Sequence, residues 1–161
     1  MKALKLTIDY SEFVSESELE RNDRELVEAA REAQKTSYAP YSTFNVGAAV
    51  RLANGEIVKG SNQENAASPS GLCAERTAMF AASASYPGVP MVSIAVIGGF
   101  DFGCEASPCA PCGACRQVMA EYQKLGKGPM SVILVGSGKI WKFAKVDDLL
   151  PFIFDSVDSR K

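Results

Sequence analysis

VGAAVRLANGEIVKG, residues 46–60, is the strongest structural signal in the sequence. Two apolar segments, 46–52 and 56–60, flank the dipeptide Asn54-Gly55. Asn-Gly between apolar runs is typical of a two-residue hairpin turn, because both residue types tolerate positive φ. The sequence therefore predicts two antiparallel strands that are joined at this turn.

Predicted helices and strands alternate on both sides of this hairpin. Upstream, apolar residues recur at helical spacing over 23–36. Downstream, residues 73–84 are rich in alanine and lack Gly and Pro, which favours a helix. The apolar run MVSIAVIGG, residues 91–99, is typical of a strand buried on both faces. The other predictions are strands over 3–9, 130–136 and 139–144, a helix over 116–124 and a short helix over 146–150. This order predicts one α/β sandwich.

The composition limits the classes of function. A length of 161 residues suits one domain, which we predict over 1–161 with an N-terminal extension of unknown role over 1–20. A net charge of -2 without a basic patch argues against a nucleic-acid partner. No apolar run approaches the roughly 20 residues that span a bilayer, and the first residues do not resemble a secretory leader. We therefore expect a cytoplasmic protein with no membrane partner.

The cysteines carry the first chemical signal. The stretch SPCAPCGACRQ, residues 107–117, contains two overlapping C-x-x-C spacings, and the chain has no histidine. In a reducing compartment, clustered cysteines more often bind metal or act in catalysis than form disulfides. Cys112 and Cys115 would share one face of a helix that Pro111 opens. Cys73 stands at the start of another predicted helix, and helix N-termini favour the thiolate form that zinc requires.

A carboxylate accompanies these thiols. Three protein ligands leave the fourth position of a tetrahedral zinc ion to water, which is typical of a catalytic site. Glu75 follows Cys73 by two residues and could move the protons of that water, since no histidine is available. The spacing matches the zinc-deaminase pattern H-x-E…P-C-x-x-C with Cys in the His position. That pattern, and not the spacing alone, implies the reaction.

At these residues the chain resembles the small homotetrameric cytidine deaminases. The resemblance runs over 26–155 through YSTFNVGAAV, NQENAASPSGLCAERTA, PCGACRQVMAEY and DDLLPFIF. It implies a three-layer α/β/α sandwich with a five-stranded mixed sheet. It also implies hydrolysis of cytidine and deoxycytidine to uridine and deoxyuridine plus ammonia, in pyrimidine salvage. One zinc ion per subunit and a homotetramer with shared active sites follow from the same resemblance.

The resemblance also implies roles for the residues around the metal. Cys73, Cys112 and Cys115 resemble the zinc ligands, and Glu75 resembles the proton shuttle. Arg76 resembles an arginine that hydrogen-bonds the ligating sulfurs and withdraws charge from them. A surface ion pair is the alternative for Arg76.

Further residues resemble those that bind the substrate. Asn62 and Glu64 resemble the pair that hydrogen-bonds the ribose, Phe44 the aromatic residue that packs against the nucleoside, and the backbone of Ala74 a contact to the cytosine amide edge. Phe154 resembles an aromatic residue that a neighbouring subunit contributes. From the residues alone, Asn62 and Glu64 are equally typical of a polar turn, and Phe44 of a core position.

The sequence leaves alternatives open. Cys109 and Cys112 also match P-C-x-x-C, although Pro111 favours the second register because proline suits a helix start. Cys109 and Cys104 are then loop thiols within a longer loop over 101–110, and Ser68 stands where relatives often carry tyrosine. The alternative functions are a deaminase of the blasticidin S type and a zinc-stapled binding module without catalysis, in which Cys109 would supply the fourth ligand.

Overall fold

The structure, a computed structural model, describes residues 1–155, and residues 156–161 of the predicted domain lie outside the described part. The helices are α1 (Arg21–Gln34), α2 (Ala74–Ser85) and α3 (Gly113–Gly126). The strands are β1 (Ser11–Phe13), β2 (Phe44–Leu52), β3 (Ile57–Ser61), β4 (Met91–Phe100), β5 (Ser131–Val135) and β6 (Ile140–Phe143). Within the same residues, the predicted helix over 146–150 is a single 3-10 turn at Val146–Asp148. None of the helices of this region combines the length and the apolar character that crossing a bilayer requires.

Within residues 1–155, the strands form one mixed sheet in the order β1-β6-β5-β4-β2-β3. β4 and β5 are parallel, and the other neighbours are antiparallel. The α/β prediction is confirmed, but the sheet has six strands where the resemblance implied five. The additional strand is β1, which comes from the N-terminal extension and lies at the edge of the sheet.

The prediction of a strand over 3–9 is wrong, and the strand lies at Ser11–Phe13 instead. β1 pairs with β6, where Ser11 lies opposite Lys142 and Phe13 opposite Ile140. Because β6 ends at Phe143, which falls opposite Tyr10 in this register, the residues before Tyr10 lie beyond the end of that strand. Side chains reinforce this register, since the Trp141 Nε1 donates to Glu12 Oε2 at 2.7 Å and the Tyr10 ring stacks on Phe143 at 5.3 Å.

The predicted hairpin is confirmed, with a different turn. β2 and β3 pair antiparallel, with Val50 opposite Val58. The loop contains three residues, 53–55, because the Gly55 N–H donates to the Leu52 carbonyl and the Leu52 N–H donates to the Glu56 carbonyl, both at 2.9 Å. Only Gly55 in this loop has a positive φ, of 91°. A type I turn followed by a left-handed glycine is the common three-residue alternative to the predicted turn.

Helices cover both faces of the sheet and create the three predicted layers. α1 packs on one face through an apolar cluster that contains Leu26, Ala30 and Ile97. α2 and α3 pack on the other face around Met79 and Met119. On this second face, α2 and α3 begin at the cysteines singled out in the sequence. Cys73 is the N-cap of α2, Cys112 is the N-cap of α3, and Cys115 lies in the first turn of α3.

Gly47 allows α1 to lie directly on β2. A Cβ atom at Gly47 would lie 2.0 Å from the Ala30 carbonyl oxygen and 2.4 Å from the Gln34 backbone nitrogen. Both contacts are to the helix backbone, which cannot rotate away as a side chain does. The close approach of this helix to the sheet therefore requires glycine at this position.

The Gly47→Ala variant is expected to lose about 1–3 kcal/mol of the free energy of unfolding, because the helix must move off the strand. Urea denaturation monitored by circular dichroism measures the loss. Gly138→Ala is the matched control, since no described atom lies within 4 Å of a Cβ at that position. Equal stability of the two variants would contradict the packing described for α1 and β2.

Candidate metal centre and active site

Three sulfur atoms meet where two helices begin. The Sγ atoms of Cys73, Cys112 and Cys115 all lie within 4.8 Å of one another. Cys73 is the N-cap of α2, Cys112 is the N-cap of α3, and Cys115 lies in the first turn of α3. Among the residues that the structure describes, neither N-cap sulfur accepts a hydrogen bond from a backbone N–H of its own helix. Pro111 precedes the N-cap of α3 and lies two positions before the first helical residue, Gly113, so it is not the helix start that the sequence predicted.

The three thiols fit a zinc ion. Zn–S bonds of about 2.3 Å in a tetrahedron put sulfur atoms about 3.8 Å apart. The Cys112 and Cys115 sulfurs are 3.5 Å apart. The widest separation between any two of the three sulfurs, at most 4.8 Å, exceeds the ideal spacing by less than half of a Zn–S bond length. Within residues 1–155, no other His, Cys, Asp or Glu side chains form such a group, and Cys109 is not one of its members. Among the described residues, the site therefore offers three candidate protein ligands and no fourth.

The electrostatics of the cluster favour a thiolate on Cys73. A hydrogen bond from Cys115, with a further contribution from Arg76, lowers the pKa of Cys73 to about 5. The same hydrogen bond, together with burial, raises the pKa of Cys115, since the Cys115 thiol donates its own proton to the Cys73 sulfur in that bond. Metal binding needs deprotonated thiols and releases such protons. The surroundings of Cys73 thus favour its thiolate form, and the sulfurs of Cys112 and Cys115 lie beside it.

Arg76 supports this thiolate directly. Its Nη2 donates to the Cys73 Sγ at 3.6 Å, from the same first turn of α2. The Arg76 Nε is buried without a hydrogen-bond partner among the residues that the structure describes. A guanidinium at this position offsets part of the negative charge that three thiolates bring to a dication. The described contact of Arg76 is therefore with the Cys73 sulfur and not the surface ion pair that the sequence left open.

The Arg76→Gln variant is expected to bind zinc about 10–100-fold more weakly, because the charged hydrogen bond to the Cys73 sulfur is lost. Competition with a chromophoric chelator measures the zinc affinity. Arg21→Gln is the matched control, since it removes the same charge at an exposed position of α1. An unchanged affinity in Arg76→Gln would contradict the electrostatic support described for Cys73.

Glu75 is a buried carboxyl group beside the sulfurs. It lies in the first turn of α2 and is only 5% exposed. Burial raises the pKa of Glu75 above its usual value, and the Cys73 thiolate raises it further. A carboxyl group whose pKa is moved toward neutrality can both accept and donate a proton in the physiological range.

One cavity of about 840 Å³ joins the metal centre to the predicted substrate residues. Residues from 41–46, from 62–76 and from 109–112 line it. The structure brings Phe44, Asn62, Glu64 and Ala74 together on this cavity with Cys73, Cys112, Glu75 and Arg76. Ser68 lines the same cavity. A volume of this size suits a small-molecule ligand.

Asn62 and Glu64 hold one wall of the cavity together. The Asn62 Oδ1 accepts from the Val46 N–H at 2.8 Å, and its Nδ2 donates to the Phe44 carbonyl at 2.9 Å. Glu64 accepts the backbone N–H groups of Tyr41 at 2.9 Å and of Ser42 at 3.2 Å, as well as the Ser42 hydroxyl. These hydrogen bonds, the one from the Ser42 hydroxyl first, lower the pKa of Glu64. The sequence interpretation missed this positioning role.

The remaining predicted residues occupy different places. Phe44 is half-buried, and its ring meets Phe100 edge-on with centroids 5.1 Å apart. Ala74 is fully buried at the first position of α2, where a helix leaves backbone N–H groups without an intrahelical acceptor. Phe154 does not line the cavity of its own chain; it is 72% exposed, and the Gln117 side chain holds its backbone.

Sequence and structure comparisons agree with this geometry. A family described as "Cytidine and deoxycytidylate deaminase zinc-binding region" matches residues 20–128. The chain is 38% identical over 134 residues to a cytidine deaminase of Sporosarcina psychrophila, covering 83% of this chain and 91% of that protein. It is 45% identical over 96 residues to a cytidine deaminase of Halalkalibacterium halodurans, covering 60% of this chain and 68% of that protein. The crystal structure of cytidine deaminase from Burkholderia pseudomallei superposes with a TM-score of 0.69 at 44% identity, covering 81% of this chain and 97% of that chain.

Proposed function

The chain belongs to the cytidine and deoxycytidylate deaminase family, and on that premise we propose that it hydrolyses cytidine and deoxycytidine to uridine and deoxyuridine plus ammonia. The observation that carries the proposal is the buried Glu75 carboxyl beside three converging cysteine sulfurs, on one cavity of nucleoside size. Water provides the oxygen that replaces the amino group at C4 of cytosine, and ammonia leaves. The reaction serves pyrimidine salvage in the cytoplasm.

Cys73, Cys112 and Cys115 would hold the single zinc ion of the subunit. When bound, the ion is a Lewis acid that lowers the pKa of a water molecule toward neutrality. Three ligands suit this use because the fourth position stays open. A structural site would need a fourth protein ligand, and within residues 1–155 no further side chain joins the three cysteines. A set of three protein ligands favours a catalytic site over a zinc-stapled binding module.

Glu75 carries the protons. It accepts the proton of the attacking water and delivers protons to N3 of the ring and to the leaving amine. The burial that raises the pKa of Glu75 supports this exchange, since the protonated form then persists nearer to neutral pH. Its backbone position beside Cys73 supports a direct approach to the reacting C4 atom.

The other lining residues orient the nucleoside. The Phe44 ring packs against the pyrimidine face, and the buried backbone of Ala74 contacts its amide edge. Asn62 and Glu64 bind the ribose hydroxyls. A carboxylate has about four lone-pair positions, and three hydrogen bonds leave Glu64 capacity for a ligand hydroxyl. Asn62 keeps one amide hydrogen and one lone pair free in the same way.

The active protein is a homotetramer with shared active sites. Phe154 of one subunit closes the cavity of a neighbour, in keeping with its exposure and its absence from its own cavity. We assign the single deaminase domain to 1–161, with residues 1–20 as an extension. Light scattering of the purified protein checks the assembly, and a monomer with full activity would contradict it.

A panel of nucleosides tests the proposed function. Release of ammonia is expected from cytidine and deoxycytidine and not from adenosine or guanosine. Blasticidin S belongs in the panel, because a related deaminase for that cytosine nucleoside is the closest alternative. Absence of ammonia from both cytidine and deoxycytidine would overturn the proposal. Ammonia from blasticidin S alone would replace it with the alternative.

A further inference from the structure

Cys109 lines the active-site cavity but does not belong to the cluster of three sulfurs. The loop that carries it is fixed to the sheet. The Cys109 N–H donates to the Val135 carbonyl at 3.3 Å, and the Ser137 N–H donates to the Glu105 carbonyl at 2.8 Å. The backbone just before Cys109 packs so closely on Gly136 that a Cβ there would lie 2.8 Å from the Pro108 nitrogen. Cys109 therefore has a defined position on the cavity wall.

The Cys109 thiol and the Phe44 ring share one support. A Cβ built on Gly98 of β4 would lie 2.8 Å from the Cys109 Sγ and 2.9 Å from the Phe44 Cε1. The sulfur and the ring thus rest side by side on the bare backbone of this strand. Because both residues also line the cavity, they form one continuous apolar surface within it. A ligand that packs against Phe44 in this cavity therefore lies close to Cys109.

Two walls of the cavity determine which edge of a pyrimidine would face Cys109. Ala74 and Glu75 at the start of α2 form one wall, and 109–112 before α3 forms another. In the proposed function, the first wall takes the amide edge of the ring, where N3 and the reacting C4 lie. The ribose leaves the ring at N1. Cys112, at the other end of the second wall, belongs to the metal centre beside C4. C5 is bonded to C4, so the C5–C6 edge that remains faces Cys109, three residues before Cys112 on the same wall.

We propose that Cys109 is a specificity-determining residue, whose side chain beside Phe44 sets the size of the C5 substituent that the cavity accepts on a cytosine nucleoside. The inference rests on the proposed function. A thiol is small, and no carbon extends beyond its sulfur, so the wall leaves room at C5. Burial raises the pKa of Cys109 to about 12, with a further contribution from Glu75, so this wall presents a neutral and weakly polar group.

The test compares kcat/KM for 5-methylcytidine and cytidine in the zinc-loaded enzyme and in two variants. One methylene group in an apolar pocket changes kcat/KM by about 10–200-fold. Cys109→Leu is expected to lower the ratio of 5-methylcytidine to cytidine by about 10-fold or more. Cys109→Ala is expected to raise that ratio. Cys104→Ala is the matched control, because Cys104 lies on the same loop but does not line this cavity; its ratio stays that of the wild type.

Binding of the products provides a readout that does not depend on turnover. Calorimetry is expected to show the same change of preference between uridine and 5-methyluridine in the two Cys109 variants. An unchanged preference in both variants, each folded and zinc-loaded, would overturn the inference. Loss of zinc from Cys109→Ala would also overturn it, because the thiol would then be a ligand. A wild-type enzyme that deaminates no cytosine nucleoside would instead overturn the proposed function itself.

Discussion

The Cys112→Ser variant is expected to lose most of its zinc and to deaminate cytidine about 10³-fold more slowly than the wild type. Cys112 is exposed at the start of α3, so the substitution changes little packing. The effect therefore comes from the metal, which two remaining sulfurs hold poorly. Metal binding also stabilises the folded state, so the melting temperature should fall with the zinc content. Plasma mass spectrometry measures the zinc, and an ammonia assay measures the rate.

Cys109→Ser is the matched control for this variant, because it makes the same atomic change three residues away. Its zinc content should equal that of the wild type, since Cys109 lies outside the group of three sulfurs. Loss of zinc from Cys109→Ser together with full zinc in Cys112→Ser would move the metal site to the other C-x-x-C register. The pair of variants thus decides between the two registers that the sequence contains.

Local patterns were sufficient to predict the elements that position the site. The apolar runs of β2 and β4 and the alanine-rich α2 lie where their periodicity placed them, because each pattern is complete within the element itself. Strand β1 was misplaced by a few residues, because its position depends on the short partner β6 far along the chain. Strand pairing of this kind cannot be read from an isolated segment.

The features of the site divide in the same way, into those that local spacing predicts and those that depend on tertiary packing. The spacing of Cys73, Cys112 and Cys115 identified the cluster, because helix starts impose a local geometry on the residues around them. The hydrogen bonds of Glu64 to residues 41–42 join separate segments, and sequence spacing does not report them. The position of Cys109 depends on the absence of a side chain at Gly98, a contact between β4 and a distant loop. Such features follow from tertiary packing, and the order of residues along the chain does not predict them.

The Glu75→Gln variant is expected to lower kcat about 10²–10⁴-fold, because it removes the proton carrier. The KM for cytidine should change much less, since glutamine has nearly the shape of glutamate. The zinc content should stay that of the wild type, because Glu75 lies outside the three metal-ligating sulfurs. Steady-state kinetics with a parallel zinc determination separates these effects. Glu121→Gln, on the exposed face of α3, is the matched control and should behave like the wild type.

Stability gives Glu75→Gln an independent test. Burial raises the folded-state pKa of Glu75, so the folded chain keeps a proton that the unfolded chain has already released. The stability of the metal-free protein therefore falls as pH rises from the ordinary carboxyl pKa through the raised one. Glutamine cannot release that proton, so the variant should lose this pH dependence and be at least as stable as the wild type at neutral pH. A variant that keeps full kcat would show that Glu75 is not the proton carrier. A variant that unfolds more readily at neutral pH would contradict the raised folded-state pKa of Glu75.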